Sequence, residues 1–348
     1  MDYQGKYHIF DAKRISTYPV SSRRNRVNVE SLLDTESCLA GLSTTHQVDA
    51  VTEKKISEVA EHLSTAAKAG KPVLIFFGAH LVKNGLGLLI VDLMKRGFVT
   101  LVASNAAGAI HDFELALIGE TSEDVPNALP RGQFGMAYEF SYINEAIRLG
   151  HEMKLGFGES LGLMIEDENF REKVLSKVAR SDSPLTFRYP DKSILATGYR
   201  LNIPVTIHVT IGTDVIDQHA NFDGAAKGGT SGCDFMIFVD AVTKMTSGGV
   251  VLNIGSAVTG PEVLLKAVSM SANVGCPPQG IITADFDLRP YDPLSMGKED
   301  SLFYYYRDQK SVVTRIPQSF GGRGYYIQGD QRVTIPLLYR KIIKGMTS

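Results

Sequence analysis

The sequence predicts a doubly wound α/β fold, a mostly parallel sheet with helices on both faces. Three observations predict it. Short apolar runs of strand length recur at Val73–Phe77, Val99–Ala103, Pro204–Ile211, Gly249–Ile254 and Gly280–Ala284, and unbroken apolar runs mark strands covered on both faces. Segments of helical period alternate with them. Several runs end in small or polar residues, the end at which open α/β sheets bind ligands.

Taken in order, residues 1–45 show no sustained period and read as an arm that packs on the body or on a neighbouring subunit. The body, 46–348, reads as a single domain. Val51–Ala69 is helical in pattern. After the Val73–Phe77 strand, Leu86, Leu89, Ile90, Leu93 and Met94 recur at helical spacing before the second strand. A middle segment, about 126–200, is richer in charge and helix, with a break at Gly156-Phe157-Gly158. Asp234–Met245 looks strand-like in composition, but Phe235, Phe238, Val239, Val242 and Met245 sit at helical spacing and predict a helix. Pro261 suits the first turn of a helix running to Asn273. The Gly321–Gly324 loop signals only flexibility.

Composition sets bounds. The 348 residues carry a net charge of −2 and are 44% hydrophobic, so a large core is expected and no electrostatic footprint for nucleic acid or an anionic membrane shows. The run Arg23-Arg24-Asn25-Arg26 reads as a solvated or interface loop. No run reaches the roughly 18 apolar residues of a membrane helix, and the opening residues lack a signal-peptide layout. The 3 cysteines are far apart, with no CxxC, which points to neither a disulfide framework nor a cysteine zinc site and predicts a cytoplasmic protein.

Candidate chemistry gathers at the strand ends. Neither the GxGxxG fingerprint nor a Walker loop follows the first strand. Lys83, Asn84 and Gly85, read as a helix start, offer a cation and backbone N–H groups to a phosphate. Ser104, Asn105, Ala107 and Gly108 allow close backbone approach to a cofactor. His111, Asp112 and Glu114 follow at once; three ionisable groups there suit acid–base work or the binding of a ribose or amine. After Pro204–Ile211 come Asp214, Asp217 and His219, spaced to face one pocket and able to hold a cationic substrate or a divalent metal. His208 reads as a core histidine. Glu262, a first-turn acid beside the small-residue ligand-approach loop Gly255–Gly260, is a candidate substrate contact, and Lys266 reads as a solvated lysine one turn on. Asp285 and Asp287 lie at a further strand end.

These segments, GAHLVKNGL, SNAAGAIHDFE, NIPV with His219, GGVVLNIGSAV and IPLLYR, resemble in order the deoxyhypusine synthase family. The resemblance implies a Rossmann-like sheet, NAD as cofactor, a small-molecule amine substrate and a homotetramer with sites at subunit interfaces. It implies NAD contacts at 83–85, 104–108 and 285–287, and an amine pocket at His219 and the 214–217 acids. One departure stands out: Gly260 occupies the place where the family's imine-forming lysine is expected, so a true deoxyhypusine synthase is not. The stretch NAAGAIHDFELALIGET also resembles the NAD-binding domain of a bacterial and archaeal ornithine cyclodeaminase family, which deaminates an amino acid through transient oxidation. The expectation is an NAD-dependent enzyme that oxidises a small amine or amino acid to an imine, which is then transferred, hydrolysed or cyclised. His111 or His219 would move protons. The alternatives are a metal-dependent hydrolase using Asp214, Asp217 and His219, or a non-catalytic binding protein of the same fold.

Overall fold

A computed structural model describes residues 3–41, 48–178 and 185–345; the expected end of the arm at 45 lies outside them. Eight strands are present among the described residues: β1 Asn25–Asn28, β2 Val73–Phe77, β3 Leu101–Asn105, β4 Glu120–Glu123, β5 Val205–His208, β6 Val250–Ile254, β7 Ile282–Asp287 and β8 Arg323–Gln328. Six form one sheet in the order β5-β3-β2-β6-β7-β8, and every pairing in it is parallel. This is the doubly wound order of dinucleotide-binding sheets, with its switch point between β2 and β6. The α/β expectation holds.

The apolar runs are continuous because both faces are covered. Val73, Ile75 and Phe77 of β2 pack into one layer with the helices Ala50–Lys68, Ala106–Ile118 and Gln331–Lys344. Leu74 and Phe76 face the other layer, with Phe238 and Val242 of the helix Gly224–Thr243 and Leu264 and Val268 of the helix Thr259–Asn273. Alternation along a strand is what sends neighbours to opposite layers.

β2 matches its predicted bounds. β3 begins two residues later than predicted, because Gly97, at φ +73°, ends the helix Gly87–Lys95 and the Phe98 N–H donates back to Leu93 O at 3.0 Å. That left-handed closure takes Phe98 and Val99 out of the strand. The Gly321–Gly324 loop leads directly into β8, which was not predicted. A Cβ on Gly322 would lie 1.9 Å from Ile281 O, and one on Gly324 1.9 Å from Val313 O. These glycines permit close packing instead of flexibility.

The N-terminal segment lies against the body of its own chain. β1 pairs antiparallel with β4, and Leu33 N–H donates to Gly85 O at 2.9 Å. Among the described residues, no helix is long and apolar enough to cross a membrane.

Candidate functional site

A cavity of about 220 Å³ opens beside the carboxyl ends of β2, β3 and β5, lined among others by Arg23, Lys83, His111, Glu114, Glu123 and Asp214. Lys83 ends a one-turn helix, His80–Lys83, that follows β2. Its ammonium group makes no hydrogen bond or ion pair among the described residues. His111 and Glu114 lie one turn apart on the helix Ala106–Ile118, which follows β3. Thr121 and Glu123 come from β4.

The centre of the cavity wall is a hydrogen-bonded chain. Thr121 donates to Glu114 Oε2 through a short bond, so its oxygen is left to accept from His111 Nδ1 at 2.7 Å. That network places the imidazole proton on Nδ1 and leaves Nε2 as the basic nitrogen. The Arg23 guanidinium donates to Glu114 Oε1 at 2.5 Å, with the two side chains only 4% and 3% exposed. Burial pushes the Glu114 carboxyl up, but Arg23, His111 and Thr121 outweigh it and hold the group ionised below its ordinary range. Glu123 accepts from Tyr18 Oη at 2.8 Å and from Gly135 N–H at 3.0 Å. Glu114 and Glu123 face Arg23 in the wall, and Asp214 beside them is paired with Lys227, so the cavity is lined by charged groups of both signs, with Lys83 at its edge.

The other predicted residues separate by geometry. Asp112 leaves the site: one residue from His111 it points to another face of the helix. There it accepts from Ser193 Oγ at 2.5 Å and from the Ile194 and Leu195 N–H groups at 2.8 and 3.0 Å. It caps the helix Ile194–Leu201, and burial pushes its carboxyl up to about 6. Asp214 and Asp217 do hold an amine, but it is the chain's own: Lys227 Nζ donates to them at 2.7 and 2.6 Å and is fully buried. His219 is not in the cavity lining, and its Nε2 donates to Gly135 O at 2.9 Å. It fixes the 134–135 turn, whose Phe134 lines the cavity.

Asn84 and Gly85 do not start a helix. Their N–H groups donate to His80 O and Val82 O at 2.8 and 2.9 Å, and a Cβ on Gly85 would lie 3.0 Å from Ser31 O. They are committed to local and arm contacts. Ser104 Oγ donates to Phe77 O at 2.9 Å and fills the space a Cβ on Gly108 would need, 2.1 Å away. Gly108 thus serves helix-to-strand packing, and Asn105 caps its own helix through Gly108 N–H at 2.9 Å. Of that loop, Ala107 lines the cavity. Glu262 stands on the surface, ion-paired with Lys266 and 4.0 Å from Arg307. Asp287 is held by Arg289 at 3.0 Å. His208 is a buried core histidine, as predicted, and burial drives its pKa down to about 3.

The expected dinucleotide can be tested against the crevice at the switch point. Asp285 Oδ2 and Gln331 Oε1 are buried with no protein partner, and Gln331 reaches over Gly255, where a Cβ would lie 2.1 Å from its Nε2. Burial, and then the neighbouring Asp308, push the Asp285 carboxyl well above its ordinary value. Asp285 and Gln331 each keep one buried oxygen with no protein partner near the end of β6, polar capacity of the kind that the hydroxyl and amide groups of a dinucleotide can meet. The orphan groups extend to Asn253 Oδ1, but this atom faces the next helix: a Cβ on Gly260 would lie 2.4 Å from it and 2.9 Å from the Phe76 ring. The position at which the resemblance expects a lysine has no room for a side chain. Among the described residues no three His, Cys, Asp or Glu are grouped to hold a metal ion, and Lys227 already neutralises the pair on which the hydrolase alternative rested.

Sequence reasoning missed Arg23, Glu123, Thr121, Lys227 and Gln331. Arg23 lay in view as one of a basic run; its partner is 91 residues away.

Sheet order and cavity define the chain as a doubly wound, Rossmann-like α/β protein with a pocket of charged side chains at the carboxyl ends of β2, β3 and β5. No protein-family model and no curated protein matches it. Among solved structures it is similar to unliganded AgrE, with a TM-score of 0.51 and 18% identity over 87% of this chain and 34% of that one. The ternary complex of AgrE with ornithine and NAD+ gives a TM-score of 0.48 and 16% identity over 86% of this chain and 34% of that one. A putative deoxyhypusine synthase from Entamoeba histolytica gives 0.38 and 7% over 95% of this chain and 97% of that one. The chain spans about a third of the length of AgrE, at 34%, and the likeness is one of fold.

Proposed function

We propose that this chain is an NAD-dependent enzyme that oxidises a small amino acid or amine at its nitrogen-bearing carbon, giving an imine that is then transferred, hydrolysed or cyclised. The observation that carries the reading is the Arg23–Glu114–Thr121–His111 chain, which leaves His111 Nε2 basic in a pocket of charged side chains at the carboxyl ends of a Rossmann-like sheet. NAD, when bound, supplies the two-electron acceptor for the hydrogen on that carbon. Asp285 and Gln331 would hold it. The substrate ammonium sits against Glu123, beside the Lys227-paired Asp214, a substrate carboxylate against Lys83, and His111 Nε2 takes the proton released from nitrogen. That AgrE was solved with ornithine and NAD+ is in keeping with this chemistry. The resemblance further suggests a homotetramer with sites at subunit interfaces.

The test is native mass spectrometry of the purified protein with an acid extract assayed for NAD, followed by NADH formation at 340 nm with L-ornithine, L-lysine, L-arginine and spermidine. Bound NAD and turnover with one of these, lost about 100-fold or more in His111→Ala, is the expected result. Absence of NAD, together with no thermal shift on adding it, sinks the proposal.

A further inference from the structure

Three described residues other than glycine have a positive φ: Lys154 at +63°, Asn202 at +53° and Ser122 at +67°. The first two have ordinary reasons. Lys154 follows the helix Phe140–Glu152, and Asn202 caps the helix Ile194–Leu201, positions where chains close left-handed. Ser122 has no such reason. It sits inside β4, between Thr121 and Glu123. A residue with a Cβ is strained there, and a glycine would adopt the same backbone freely.

The side chain at 122 lines the same cavity as Lys83, His111 and Asp214. The residue is 7% exposed, and its hydroxyl makes no hydrogen bond among the described residues. Its neighbours already have partners in the wall, Thr121 in His111 and Glu114, Glu123 in Tyr18 and Gly135. Ser122 is left with an unused donor and acceptor facing the cavity, on a backbone that would be more comfortable without it.

We infer that Ser122 is a substrate contact, held left-handed so that its hydroxyl meets the polar end of an amino acid lying between Lys83 and Asp214. This rests on the pocket being the amino-acid site proposed above. The backbone strain is then the cost of aiming the hydroxyl, and hydroxyl and strain are separable by mutation. Ser122→Gly removes both, whereas Ser122→Ala removes the hydroxyl and keeps the strain.

Calorimetric titration of the full chain with L-ornithine, L-lysine and L-arginine in the presence of NAD+, alongside thermal melts of wild type and both variants, tests it. The expected result is that both variants bind the wild-type ligand about 3- to 10-fold more weakly, as for one lost hydrogen bond. Ser122→Gly should also melt about 1–2 °C higher than wild type, and Ser122→Ala should not. Unchanged affinity in both variants overturns the inference and leaves the pocket reading standing. A Ser122→Gly protein that melts below wild type overturns it too, because the strain is then absent. A wild-type protein that binds none of the three overturns the pocket reading itself.

Discussion

Replacing Lys227 by Met would test how the floor beneath the pocket is held. All three ammonium hydrogens are used, to Thr210 O at 3.1 Å, Asp214 at 2.7 Å and Asp217 at 2.6 Å. The lysine is fully buried, and the two carboxylate side chains are only 9% and 6% exposed. Methionine has similar length and packs well, so the cavity term is small. What remains is two desolvated carboxylates with no counter-ion. Removing one partner of a buried pair costs about 3–5 kcal/mol, and here one lysine serves two acids, which puts the loss toward the upper end. The sign with pH is fixed by Asp214. Burial, the largest influence, holds its folded pKa above the ordinary value even with Lys227 present, and losing Lys227 raises it further. A raised folded pKa gives stability that is full at low pH and lost as pH rises through that pKa. The deficit of Lys227→Met should therefore be largest at pH 7 and smaller at pH 5. Urea unfolding of wild type and variant at both values reads it. A deficit below about 1 kcal/mol at pH 7, far short of a broken buried pair, or one equal at both pH values, refutes the reasoning. Adding Asp214→Asn and Asp217→Asn to the variant should recover much of the loss.

Gly260→Ala should destabilise by about 1–3 kcal/mol in the same assay, since its Cβ meets Asn253 Oδ1 and Phe76. Glu114→Gln should remove an acid limb of the stability profile. The folded pKa of Glu114 lies below its ordinary 4.5, so wild type loses that contribution as pH falls below 4.5 toward the folded value, and the variant has none to lose. Asp234 accepts from Gly158 and Ile207 N–H groups at 3.0 and 2.7 Å on a single oxygen, and burial pushes its carboxyl up to about 8. The wild-type melting temperature should fall as pH rises from 5 to 9. Asp234→Asn, which can keep both bonds, should fall less.

Much of the sheet was legible because buried parallel strands announce themselves locally. Val73–Phe77 is apolar throughout, and its bounds needed nothing from elsewhere. β8 was not legible: its glycines mark contacts with Ile281 and Val313, partners that no local pattern reveals. At the site, the region was legible and the roles were not. His-Asp-x-Glu reads as one cluster along the chain, yet a helix puts its first and fourth residues on one face and turns the second away. Asp214 and Asp217 invite an amine, and nothing near them in sequence says that Lys227 already supplies it. Arg23 looks like a surface charge until Glu114 is brought to it.

That last pairing sets a condition on the site's assembly. Closing a loop of about 90 residues carries an entropic cost that local helix formation does not. The helix bearing His111 and Glu114 rests on local contacts, but Arg23, the foremost of the groups that hold its buried glutamate ionised, comes from the other end of that loop. The wall of the pocket is thus completed by a contact from far along the chain, and it is whole only where the segment around β1 is docked on β4.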